Sequence, residues 1–190
     1  MKKLMFVAIL LLTTVPFVQA QKNEDYKKHP GYVDFGSLDQ FKDAEETVEV
    51  FIKGPLLKFV SRATSHEDPD LARLLDNLVV IKVNTFSIDA KDYKEVRDII
   101  NNVSKKLDPQ KWELMVRAKE SDEYTEIYTQ FGNDDKLLGL VVMAVEENDE
   151  AAFINIAGDI DPSQLGKLSS KFDIPELDSL EIDAKTHHVK

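Results

Sequence analysis

Two apolar runs, joined by five polar residues, restrict the folds open to this chain. The runs are Leu137–Val145 and Ala151–Ile160, and residues 146–150 separate them. Both runs are rich in β-branched and aromatic residues and contain no proline, as is typical of buried strands. A connection of this length is common in hairpins. We therefore predict that the two runs form the central antiparallel hairpin of one sheet.

Four further segments show the alternation of apolar and polar residues that is typical of half-buried strands. They are residues 47–52, 79–88, 112–119 and 123–131. In the segment 112–119, alternation places Trp112, Leu114, Val116 and Ala118 on one face. Gly31–Phe35 is predicted to be a short first strand or an edge segment.

Helical spacing of apolar residues follows Gly54-Pro55 and predicts either one long helix or two pieces with a bend near His66. Asp68 is expected to cap the second piece, with Pro69 at its first position. Asp89 is expected to cap a helix over residues 90–107. A last helix is predicted over residues 162–171.

The resulting order is β-α-β-α-β-β-β-β-α, which predicts an α+β fold. We expect a single mixed, mostly antiparallel sheet that is ferredoxin-like in part, with helices mainly on one face. Residues 47–180 are predicted to form one α+β domain. Residues 21–46 are predicted to be a lead-in with a short first strand, and residues 181–190 a polar tail.

The first twenty residues are typical of a signal peptide. Lys2 and Lys3 precede the short apolar run Leu4–Leu12, and Val18-Gln19-Ala20 fits a signal-peptidase site. We expect export through the Sec route to the periplasm or the exterior. The chain contains no cysteine, so we expect no lipid anchor, no disulfide and no thiolate chemistry.

The chain is acidic, with a formal net charge of −11, and removal of Lys2 and Lys3 would make it more negative by two. Such a charge repels phosphate backbones and anionic lipid headgroups. We therefore expect no nucleic-acid partner and no membrane insertion after signal cleavage.

Several stretches resemble a bacterial exported family known as domain of unknown function 4252. The most specific is Phe153–Asp161, which reads FINIAGDID. The others are Gly31–Phe35, Pro55-Leu56-Leu57, Trp112–Val116, Leu138–Val142 and Phe172–Pro175. The resemblance implies an exported α+β domain and assigns no activity to it.

Asp159 and Asp161 form the first candidate site, next to Gly158 at the end of a predicted strand. Two carboxylates at this spacing can chelate a hard cation or divide acid and base roles. The alternative, which we favour, is that Asp161 caps the following helix while Asp159 ends the strand in water.

The second candidate is one face of the strand 123–131, where Tyr124, Glu126 and Tyr128 point the same way. If helices cover only the opposite face, these side chains form an exposed patch suited to a partner. The alternative is that the two rings fill the core or lie under the N-terminal segment.

The four histidines are His29, His66, His187 and His188, and their spacing matches no metal motif. We predict no cofactor, no metal site beyond the weak Asp159/Asp161 candidate and no catalytic residues. The leading hypothesis is an exported, non-enzymatic binding module that contacts another envelope protein. The alternative is a hydrolase or cation-dependent enzyme centred on Asp159 and Asp161.

Overall fold

The computed structural model describes residues 24–133 and 136–161. The strands are β1 (Thr47–Lys53), β2 (Leu78–Ser87), β3 (Glu113–Lys119), β4 (Glu123–Phe131), β5 (Leu137–Glu146) and β6 (Glu150–Ile160). The helices of this part are α1 (Gly54–Thr64), α2 (Pro69–Asn77) and α3 (Ala90–Leu107). The signal peptide, the last helix and the polar tail predicted above lie outside the described residues.

One six-stranded sheet, in the order β1-β2-β6-β5-β4-β3, organises the domain. The α+β class, the single sheet and the central β5–β6 hairpin are confirmed. The expected mixed sheet is corrected, because every neighbouring pair in the described part is antiparallel. The helices α1 and α2 return the chain beside β1, whereas α3 carries it to the far edge. In a ferredoxin-like unit, a helix connects two parallel strands that lie on either side of a third strand. Here β1 and β2 are antiparallel neighbours, and β2 and β3 are separated by three strands, so the described residues do not contain the ferredoxin-like element.

Both faces of the sheet are covered, which corrects the expectation of helices mainly on one face. On one face, α1 and α2 pack over β1, β2 and β6. On the other, α3 packs over β5. The physical reason is the continuous apolar character of β5 and β6, since residues on both sides of these strands must be kept from water.

The helical region after β1 consists of two helices, which confirms the second of the two predicted alternatives. Asp68 caps α2 as predicted, because its Oδ1 accepts a hydrogen bond from the amide of Leu71 at 3.0 Å. Asp89 occupies the cap position of α3 but its side chain makes no cap hydrogen bond. The amide of Ala90 donates instead to Oδ1 of Asn148 at 3.0 Å, so the β5–β6 turn caps this helix.

The N-terminal segment, residues 24–46, belongs to the core. Gly31–Phe35 forms no strand, which corrects that prediction, and Val33 and Phe35 are nevertheless buried. Asn155 of β6, fully buried, holds the segment in place. Its Oδ1 accepts from the amide of Val33 and its Nδ2 donates to the carbonyl of Gly31, both at 2.9 Å. Side-chain hydrogen bonds thus replace strand pairing.

The backbone of this segment lies directly against β5. A Cβ atom built on Gly31 would stand 1.8 Å from the carbonyl oxygen of Leu138, and one on Gly139 would stand 2.6 Å from the Cα of Gly31. This close approach requires glycine at both positions. Packing therefore explains the glycine in each of the two stretches, Gly31–Phe35 and Leu138–Val142, that resemble the family.

We predict that Gly31→Ala destabilises the domain by about 2 kcal/mol or more, because the added methyl group meets rigid backbone. Urea unfolding followed by circular dichroism measures this loss. Gly54→Ala is the matched control, since its nearest contact would be an ordinary 3.8 Å and the site lies in a helix. Equal unfolding midpoints for the two variants would contradict the proposed close packing.

Candidate functional site

The strongest polar feature of the described core lies between β4 and α3. Tyr124, Glu126 and Tyr128 share one face of β4, as predicted, but they are only 5%, 1% and 1% exposed. The expected exposed patch is therefore wrong, because α3 covers this face of the sheet. The two rings join the core, which was the alternative reading of the sequence.

Glu126 accepts hydrogen bonds at both of its carboxylate oxygens. Oε1 accepts from Nε of Arg117 at 2.7 Å and from the hydroxyl of Tyr124 at 2.5 Å. Oε2 accepts from the hydroxyl of Ser104 and, more weakly, from that of Tyr128 at 3.3 Å. The buried charge is therefore compensated by one cation and three hydroxyl groups, as a buried carboxylate requires.

Three elements bring this set together. The β3–β4 hairpin places Arg117 directly opposite Glu126 in the ladder. Alternation along β4 places Tyr124 and Tyr128 on either side of Glu126 on the same face. Ser104 comes from the buried stripe of α3, which also contains Ile100 and Leu107.

The surroundings fix the protonation state of these groups. Burial alone would raise the pKa of Glu126, but hydrogen bonds from Ser104, Tyr124 and Arg117 outweigh it and lower this pKa. Burial, and then the hydrogen bond to Glu126, raises the pKa of Tyr124. The hydrogen bond to Glu126 raises the pKa of Arg117. At neutral pH, Glu126 is therefore an anion, and its neighbours stabilise it by donating hydrogen bonds.

This chemistry suits a structural lock better than a proton-transfer group. A carboxylate with four donors and a lowered pKa has little tendency to accept a proton. The lock instead fixes the side chains of Arg117 and Tyr124, both of which line the cavity described next.

A cavity of about 360 Å³ lies beside the lock, between α3 and the β3–β4 hairpin. Its lining adds residues that sequence reasoning missed, above all the basic ones. These basic residues are Arg97, Lys105, Arg117 and Lys119. Arg97 lies over the ring of Tyr124, with its guanidinium carbon 3.2 Å from the ring centroid.

The structure does not gather catalytic or metal-binding groups around Asp159. Its side chain is half-exposed and forms an ion pair with Lys136 at 3.2 Å. Asp161 is also exposed, and the helix that it was predicted to cap lies outside the described residues. Within residues 24–133 and 136–161, no three His, Asp or Glu side chains are grouped as metal ligands would be.

The histidines are equally dispersed. Nδ1 of His29 accepts from the amide of Gly31 at 3.1 Å, and burial lowers the pKa of His29 against the opposing charge of Asp159. His66 lies exposed in the turn between α1 and α2, while His187 and His188 fall outside the described residues. In the described part, no helix is long and apolar enough to cross a membrane.

These features define an α+β domain built on a six-stranded antiparallel sheet covered on both faces. Residues 41–168 match the family described as domain of unknown function (DUF4252), and the chain belongs to that family. The family resemblance is thus confirmed, although the Gly31–Phe35 and Phe172–Pro175 stretches lie outside the match. No curated protein and no solved structure matches the chain.

We predict that Glu126→Gln lowers the free energy of unfolding by about 2 kcal/mol at neutral pH, because charge-assisted hydrogen bonds are lost. The stabilisation by Glu126 is fully present above its ordinary pKa of 4.5 and disappears as the pH falls through its lower folded-state pKa. The difference between the two proteins should therefore shrink in acid.

Urea unfolding of both proteins, at neutral pH and well below the ordinary pKa, measures this convergence. Glu113→Gln on the exposed side of β3 is the control and should change stability by no more than about 0.5 kcal/mol. A difference between wild type and Glu126→Gln that stays constant with pH would rule out the ionised lock.

Proposed function

We propose that the protein is an exported, non-enzymatic binding module that contacts another envelope protein through the edge strand β3. Export is supported by Lys2, Lys3 and the apolar run Leu4–Leu12. The binding role is supported by the exposure of β3, which ends the described sheet.

The exposure of β3 is the observation that carries this proposal. Six of its seven residues are exposed, including Leu114 at 39% and Met115 at 43%. An uncovered edge strand offers backbone N–H and C=O groups to an extended segment of another protein. Apolar side chains beside that edge add contact area.

The opposite edge is less suited to this role. Only four of the seven residues of β1 are exposed, and its Phe51 packs edge-on against Tyr26 of the N-terminal segment. β1 is therefore the more covered of the two edges, which leaves β3 as the better edge for a partner.

A bulge in β3 makes indiscriminate pairing unfavourable. The register shifts between Leu114 and Val116, so Leu114 lies opposite Tyr128 whereas Val116 lies opposite Ile127. This corrects the prediction that Leu114 and Val116 share a face. Because bulges and charged side chains interrupt regular pairing, the edge favours a partner segment with matching chemistry over aggregation.

The alternative, a hydrolase or cation-dependent enzyme centred on Asp159 and Asp161, gains no support from a specific observation. Asp159 is half-exposed and is neutralised by Lys136.

We predict that a photoactivatable phenylalanine analogue at Met115 gives one dominant cross-linked protein in the envelope of the producing cell. The same analogue at Phe59, the more exposed apolar residue on α1, is the matched control and should not give this adduct. Mass spectrometry identifies the cross-linked segment of the partner.

A peptide of that segment should then slow hydrogen exchange of the β3 amides in the isolated protein. Adducts at Phe59 alone, no adduct at Met115, or a peptide that leaves β3 exchange unchanged would each overturn binding through this edge.

A further inference from the structure

The cavity beside the Glu126 lock is basic in a chain that is otherwise strongly acidic. Its lining contains four basic side chains, those of Arg97, Lys105, Arg117 and Lys119. Two carboxylates, those of Asp108 and Glu126, are the acidic groups of the lining. Although the whole chain has a formal net charge of −11, the lining of this cavity has two more basic than acidic side chains.

Most of these cations have no counter-ion. Arg117 is paired with Glu126. Arg97, Lys105 and Lys119 form no ion pair with any carboxylate of the described residues. In addition, Nη1 of Arg97 is buried without a hydrogen-bond partner. A buried guanidinium nitrogen without a partner is costly, so the charge of Arg97 is poorly compensated by the protein itself.

The two guanidinium groups are also held in position before any ligand arrives. The ring of Tyr124 supports the guanidinium of Arg97, and Glu126 holds that ring through its hydroxyl. The guanidinium of Arg117 donates through Nε to Glu126 and also bonds the hydroxyl of Tyr128, and its other N–H groups remain for further contacts. Such preorganisation lowers the entropic cost of binding.

We propose that this cavity binds a small molecule bearing two carboxylates. Once Arg117 and Glu126 have neutralised each other, the three remaining cations exceed Asp108 by two charges, which matches a dicarboxylate. The planar guanidinium groups favour the planar, two-oxygen geometry of a carboxylate. The volume of about 360 Å³ suits a small ligand.

This site goes beyond the proposed function and does not depend on it. Pairing along β3 requires a protein segment, whereas dicarboxylate binding requires only the cavity. A titration of the isolated protein with a small dicarboxylate therefore tests the cavity even where the cross-linking at Met115 fails.

The test is a titration of isotope-labelled protein with succinate at constant ionic strength, followed by nuclear magnetic resonance. We predict saturable shifts of the amides of Asn101, Ser104 and Lys119. Lys105→Gln combined with Lys119→Gln should weaken binding by about tenfold or more. Lys94→Gln combined with Lys106→Gln removes the same charge from exposed positions of α3 outside the cavity and should leave binding unchanged.

Two further ligands make the result specific. Neutral succinamide, of the same length, should cause no saturable shift, and inorganic phosphate should bind more weakly than succinate. Phosphate binding as tight as that of succinate would overturn the assignment to carboxylates. Equal weakening by both pairs of lysine variants, or shifts scattered over the whole surface, would overturn the site itself.

Discussion

Burial of both sides of the β5–β6 hairpin is the constraint on which the architecture depends. Seven of the ten residues of β5 and nine of the eleven of β6 are buried, and they point to both faces of the sheet. The helices α1 and α2 cover one face of the hairpin. The other face is covered by α3 together with the N-terminal segment. The amide of Asn155 makes that last cover specific, because a polar side chain in an apolar layer must find its partners there.

Periodicity in the sequence predicts the elements well and their environment less well. The hairpin, the two-part helix and α3 follow from spacing, since apolar periods of two and of three to four residues arise directly from strand and helix geometry. The partner of each apolar face does not follow from spacing. The role of Gly31 beside Gly139 illustrates this limit, because close backbone approach leaves no periodic signal.

The candidate site shows the same division. Alternation identifies Tyr124, Glu126 and Tyr128 as neighbours, and the short β3–β4 turn already implies that Arg117 lies opposite Glu126. Sequence reasoning did not use that register. Ser104 and Arg97 were out of reach, because only the packing of α3 on the sheet brings them to β4. The burial of Tyr124, Glu126 and Tyr128 could not be predicted for the same reason, since the pattern of a strand does not show which of its faces a distant helix covers.

The burial of Glu126 needs an explanation beyond stability. Replacing a buried ion pair by apolar residues is often neutral or stabilising, so packing alone gives little reason for a carboxylate here. Its hydrogen bonds have another effect, because they fix Arg117 directly and, through the ring of Tyr124, Arg97. Both guanidinium groups line the basic cavity between α3 and the β3–β4 hairpin. The free-energy cost of burying Glu126 is thus linked to the fixed positions of Arg117 and Arg97.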